Sequence, residues 1–146
     1  LAATGGCELI GADRSAVALE WARQRVPQAR TVLIGHDERL PLDDNSVDLA
    51  WCAGTLEHVV DTQTVLSELR RVLRVGARLA VITPNHSRPQ RLALALFGWD
   101  RHFDPFSPHL RFYTKSSLRD ALAGCGLEVE SLTTRRGQLV CVARRA

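Results

Sequence analysis

The sequence predicts an α/β fold: a mostly parallel sheet with helices on both faces, closed at one side by an antiparallel hairpin. Three observations carry that expectation. Short, near-continuous apolar runs alternate with segments of helical period, the pattern of parallel strands buried on both faces. The last two apolar runs are joined only by TTRRGQ, short enough for a hairpin. The 146 residues are 45% hydrophobic and 24% charged, a composition that can bury a core and argues against disorder.

The elements follow in order. Cys7 to Ala12 reads as a first strand. Ser15 caps a helix in which Val17, Leu19, Ala22 and Val26 recur at roughly helical spacing, and Pro27 closes it. Thr31 to Ile34 is a strand, GHDERLPLDDNS a polar turn-rich stretch, and Val47 to Cys52 the next strand. A helix is expected from Asp61 to Val75, with Val65, Leu66, Leu69, Val72 and Leu73 on one face and Gly76 as its stop. Leu79 to Thr83 forms a strand ended by Pro84. Pro89 to Phe97 reads as a helix and Trp99 to Phe112 as an irregular aromatic loop. Thr114 caps a last helix that Gly126 ends, and Leu127 to Leu132 and Leu139 to Ala143 are the closing strands.

The net charge of +3 comes almost wholly from arginines spread along the chain, with Lys115 the single lysine. No basic block forms, which argues against nucleic-acid binding. The longest apolar run, LALALFGW, is too short to span a bilayer, and no signal peptide is visible. Cys7, Cys52, Cys125 and Cys141 have no metal-ligand spacing and read as buried free thiols in a reducing, cytoplasmic setting.

In a parallel sheet, ligands bind beyond the carboxyl ends of the strands, so the residues there are the candidates. After the first strand, Asp13 can accept hydrogen bonds from both hydroxyls of a ribose, or can hold the start of the following helix. After the second, Gly35-His36-Asp37-Glu38 offers an acid for an exocyclic amine, or is an exposed turn. After the third, Ala53 and Gly54 permit close backbone approach, and His58 is either a general base or a structural hydrogen bonder. After the fourth, Asn85 either orients a substrate or makes a turn. His86 and His109 are further candidate bases.

Taken together, Asp13 after a strand, then GHDERLPLDDNSVDLAWCAGTLEHVVD, ELRRVLRVGARLAVITPN and HLRFYTKSSLRDALAGCGLEVESL resemble class I S-adenosylmethionine-dependent methyltransferases, nearest the ubiquinone and menaquinone group. The likeness covers nearly the whole chain. It implies a Rossmann-like sheet in the order 3-2-1-4-5-7-6 with strand 7 antiparallel, and a single methyltransferase domain over 1–146 in which 84–113 faces the substrate. It implies S-adenosyl-L-methionine as cofactor, its ribose on Asp13, its adenine on Asp37 and the backbone of Glu38, and its methionine end along Cys52, Ala53, Gly54 and Leu56. Asn85, Trp99, Phe106 and Tyr113, with Phe97, Phe103 and Phe112, would face a small-molecule methyl acceptor. His58 or His109 would serve as base. A homo-oligomer is compatible with all of this.

The chain departs from that family at its start. The resemblance implies a central first strand with an Asp/Glu-x-Gly-x-Gly turn, and LAATGG resembles only the tail of the helix after it. A sheet without its centre leaves two rows of backbone groups unpaired, each missing bond costing roughly 1–3 kcal/mol. Three outcomes are open: a longer native product, which is favoured, a strand supplied by another molecule, or direct pairing of the flanking strands after rearrangement. Under any of them this chain alone is expected to be inactive or a poor cofactor binder. Two rivals stand beside the enzyme reading: a catalytically inactive binding or scaffold domain, and an NAD(P)-binding Rossmann domain. The Tyr-x-x-x-Lys spacing of short-chain dehydrogenases is absent, since the only tyrosine and lysine are Tyr113 and Lys115.

Overall fold

A computed structural model of the chain describes residues 6–35, 39–87, 92, 95–97 and 109–146. They include six strands, three helices with defined bounds and further helical residues at 92 and 95–97, and the chain divides into two compact units, Leu1–Asp43 and Asp44–Ala146.

The first unit is one strand-helix-strand turn of the chain. β1 (Ile10–Asp13) pairs in parallel with β2 (Arg30–Leu33), Ile10 opposite Arg30 and Asp13 opposite Leu33. β1 begins three residues later than the apolar run suggests, and Cys7 is exposed, contrary to the expectation of a buried thiol. A cysteine ahead of the strand has no sheet to be buried in. α1 (Ala16–Arg25) joins the strands, and its cap is Ser15, whose Oγ accepts from Ala18 N–H at 3.2 Å. Of its expected apolar stripe only Leu19 is buried, while Val17 and Trp21 are largely exposed.

The second unit is a four-stranded sheet in the order β3-β4-β6-β5. β3 (Val47–Ala53) and β4 (Leu73–Pro84) run parallel, and β6 (Gln138–Arg145) is antiparallel to both β4 and β5 (Leu127–Arg135). The strand neighbours match those expected from sequence, including the closing hairpin. Its turn is Arg136-Gly137, both at positive φ (49° and 78°), the backbone of a two-residue hairpin loop whose twist suits the flanking strands.

α2 (Thr62–Val72) and α3 (Lys115–Gly124) supply the helical cover. Leu66, Leu118 and Leu122 are fully buried with Leu79, Val81, Leu127, Leu139 and Cys141 in one cluster. Asp61 caps α2 by accepting from Gln63 and Thr64 N–H, and Thr114 and Ser117 form a capping box at α3. α2 is shorter than its apolar period predicts. It stops at Val72, and Leu73–Pro84 is a single long strand that contains Gly76, so that glycine is not the helix stop. The reason is tertiary. The carbonyls of Arg71 and Val72 accept from Asn45 and Ser46 N–H at 3.0 and 2.8 Å, and Leu73 pairs with Val47. Partners distant in sequence satisfy the end of the helix, so no glycine cap is needed. Most of Pro89 to Phe97 and of Trp99 to Phe112 lies outside the described residues.

Candidate functional site

The strand ends beyond β1 and β2 carry the candidate residues of the first unit. Asp13 closes β1 and is exposed. Its Oδ1 accepts from Ser15 N–H at 2.7 Å, which fixes the turn into α1. Among the described residues its Oδ2 has no partner, so the carboxylate holds its own loop and still presents an open acceptor. Beyond β2 lies a cavity of about 430 Å³ lined by Leu33, Gly35, Arg39, Leu40, Pro41, Leu42 and Asp43. Leucine and proline walls beside an arginine and an acid suit a flat heterocycle with a polar edge. Asp37 and Glu38, expected to read that edge, lie outside the described residues.

The second unit carries its own candidate residues. Beyond β3 the chain turns at Gly54, whose φ of +65° is a left-handed value that favours glycine, and whose N–H donates to Ile82 O at 3.0 Å. A side chain built at Gly54 would meet nothing nearer than Glu57 Oε1 at 4.0 Å, so the backbone here is open to a ligand. Ala53 is exposed beside it. Cys52 and Leu56, expected to line the same path, have their side chains in the core at 5% and 1% exposure, which leaves only their backbone to face a ligand. Burial pushes the Cys52 thiol up to about 11, so it is a neutral packing group at physiological pH.

His58 is half-exposed on this turn, its ring 4.9 Å from that of His109. The two meet because Leu110 and Arg111 N–H both donate to Glu57 O, at 2.7 and 3.1 Å, and so pin residues 109–111 against the 55–58 turn. The Arg111 guanidinium adds a hydrogen bond to Val60 O. Between the histidines lies Glu57, only 4% exposed, which the sequence analysis passed over. Its Oε2 accepts from the buried Thr83 hydroxyl at 3.0 Å, and its Oε1 is 4.0 Å from His58 Nε2. The signal in the sequence was an acid directly before His58. Its burial depends on Thr83, which arrives from β4.

The expected acceptor-facing residues divide. Trp99 and Phe106 lie outside the described residues. Tyr113 is 7% exposed within the core cluster, its hydroxyl 2.8 Å from Thr62 Oγ1 and donating to Leu56 O at 3.4 Å. Asn85 is buried in a bridge to Tyr113, its N–H donating to Gly137 O at 2.9 Å. His86 is buried edge-on against Phe112, a packing position.

This architecture is shared with solved methyltransferases. The chain superposes on an S-adenosylmethionine-dependent methyltransferase from Thermotoga maritima with a TM-score of 0.75 at 23% identity, over 94% of this chain and 73% of that one. The fold is thus the Rossmann-like α/β fold of that class. Residues 1–81 match the family described as methyltransferase domain, and the chain belongs to that family. It is 34% identical over 122 residues, 84% of its length, to a probable S-adenosylmethionine-dependent methyltransferase of Mycolicibacterium smegmatis, covering 44% of that protein. It is 38% identical over 80 residues, 51% of its length, to the 2-phytyl-1,4-naphtoquinone methyltransferase of Synechococcus elongatus, covering 34% of it. The chain therefore spans less than half the length of these curated relatives. Family and fold make S-adenosylmethionine the cofactor of the class, as the sequence motifs implied. None of the described helices is long and apolar enough to cross a membrane.

Proposed function

We propose that this chain carries the adenosyl-binding strand ends and part of the acceptor side of an S-adenosylmethionine-dependent methyltransferase that acts on a small molecule. Asp13 carries the reading: an exposed carboxylate at the end of a parallel strand, one oxygen fixing its turn and the other open. That oxygen accepts from the ribose hydroxyls, a charge-assisted contact. The cavity beyond β2 takes the adenine, and Asp37 and the backbone of Glu38 remain the residues proposed to read it. The open backbone at Ala53 and Gly54, with the backbone of Cys52 and Leu56, borders the methionine end.

When bound, the cofactor supplies a methyl group on an already activated sulfonium. The residues of this chain contribute alignment and exclusion of water. Where the acceptor must lose a proton, His58 and His109 are the bases at hand on this turn. The naphthoquinone methyltransferase named above is consistent with a small-molecule acceptor. Asn85, Trp99, Phe106 and Tyr113 remain the proposed acceptor-side residues, with the Asn85 and Tyr113 side chains acting through the packing around the acceptor.

Titration calorimetry with S-adenosylhomocysteine tests this. The chain should bind it weakly, and Asp13→Ala should weaken binding a further ~10–100-fold, the worth of a hydrogen bond to a charged group. Excess NADH should leave the isotherm unchanged. Equal affinities for the parent and Asp13→Ala, with both folded by circular dichroism, would overturn the ribose assignment.

A further inference from the structure

We propose that Glu57, His58 and His109 form a binding site for one divalent cation of the Zn²⁺, Co²⁺ or Mn²⁺ class, beyond the role given to these histidines above. One ligand atom from each of the three lies within 4.8 Å of the others. Tetrahedral ligands around zinc stand about 3.3 Å apart, from bonds near 2.0–2.1 Å. The cluster thus needs a contraction of about 1.5 Å at its widest, within reach of a rotation of the His58 ring, whose side chain is 38% exposed.

The donor set selects the metal. Two imidazoles and one carboxylate suit borderline cations, whereas Mg²⁺ and Ca²⁺ favour oxygen ligands throughout. Three protein ligands leave coordination open, as in catalytic zinc sites, so the remaining positions go to water or to an oxygen donor of a ligand. The support behind the ligands is already in place. The buried Thr83 hydroxyl holds Glu57 Oε2 at 3.0 Å and leaves Oε1 toward His58, the kind of outer hydrogen bond that orients a metal carboxylate. The paired Leu110 and Arg111 amides on Glu57 O set the position of His109. The side chain of Glu57 is 5% exposed, and among the described residues no lysine or arginine pairs with it, so a cation would also offset a costly buried charge. With a metal bound, both imidazole lone pairs are committed to it, so the base role proposed above belongs to the metal-free chain.

The test uses the 146-residue chain in a Cys7→Ser background, since Cys7 is an exposed thiol that competes for metal. The protein is stripped with a chelator, then titrated with Co²⁺ and followed by visible d–d absorption. Zinc stoichiometry is measured separately after equilibrium dialysis. One Co²⁺ and one Zn²⁺ per chain are expected, with little competition from Mg²⁺. Glu57→Gln, His58→Ala and His109→Ala should each weaken binding at least ~10-fold, a loss that even an outer-shell partner causes. No uptake, or a His58→Ala/His109→Ala double variant that keeps its bands and stoichiometry, would overturn the site. If Glu57→Gln fails to fold, the two histidine variants decide the matter, since neither side chain belongs to the core.

Discussion

The two units of the chain are built from the same strand-and-helix alternation and reach different degrees of burial. In Leu1–Asp43 two parallel strands and one helix bury a single described side chain, Leu19, and leave Val17, Trp21 and Leu33 55–62% exposed. In Asp44–Ala146 four strands and two helices bury a continuous cluster with Leu66, Leu79, Leu118, Leu122 and Leu139 at 0% exposure. The lesson is one of scale. Two strands present too little surface to enclose a layer of side chains, whereas four strands with helices packed on them do. Stability should therefore reside in the second unit, and Asp13, the acid proposed to hold the ribose, sits on the weaker scaffold.

Core truncation should break the contrast most forcefully. Leu66→Ala should cost about 2–5 kcal/mol in urea unfolding, for lost burial plus the cavity left behind. A cost under ~1 kcal/mol would mean that the cluster repacks. Removal of the α3 cap by Thr114→Ala should cost ~1 kcal/mol, with the capping-box bond to Ser117 lost as well. At the small end, Trp21→Ser should change stability by no more than ~0.5 kcal/mol, as at exposed sites generally. A larger loss would mean that this indole is covered in solution. Hydrogen exchange sharpens the same comparison without mutation: amides of β4 and β6 should outlast those of β1 and β2.

Thiol chemistry follows the same division. Burial pushes Cys52 and Cys141 up to about 11, so Ellman's reagent at pH 8 should find Cys7 quickly and these two only on unfolding. The sign of the linkage is fixed. A thiol raised in the folded state favours folding at pH below its ordinary range, and that contribution is lost as pH climbs through about 11. Acid acts through Asp61, held below the usual carboxylate range first by the Thr64 hydroxyl and then by the Thr64 amide. Its contribution is present above the ordinary carboxylate range and fades as pH falls through the lowered value. The melting temperature should therefore fall toward both extremes of pH, with Asp61→Asn reducing the acid-side slope.

Some of this was legible residue by residue. Ser15, Asp61 and Thr114 announced their helices because an N-cap acts within three residues of itself. The closing hairpin was legible from its short TTRRGQ linker, whereas its turn at Arg136-Gly137 follows from strands that run longer than the apolar runs, Leu127–Arg135 and Gln138–Arg145. Asp13 was legible as the acid that ends a strand. The early end of α2 was not, because its stop is made by Asn45 and Ser46, more than twenty residues upstream. Nor was the exposure of Cys7, since an apolar run does not say at which residue a strand gains its partner. Glu57 was the largest omission: a carboxylate between Leu56 and His58 looks like solvent-facing charge until Thr83 and the 109–111 segment close over it.

By itself, the order of residues determined the alternation of strands and helices, the caps, the hairpin and the family of this chain. Each of these rests on interactions between near neighbours or on a pattern that repeats along the chain. Only the tertiary structure decided which polar groups are buried, where α2 gives way to β4, and that Glu57, His58 and His109 share one corner. Those outcomes depend on hydrogen bonds and packing between segments that lie many residues apart, and such pairings exist only once the sheet has formed.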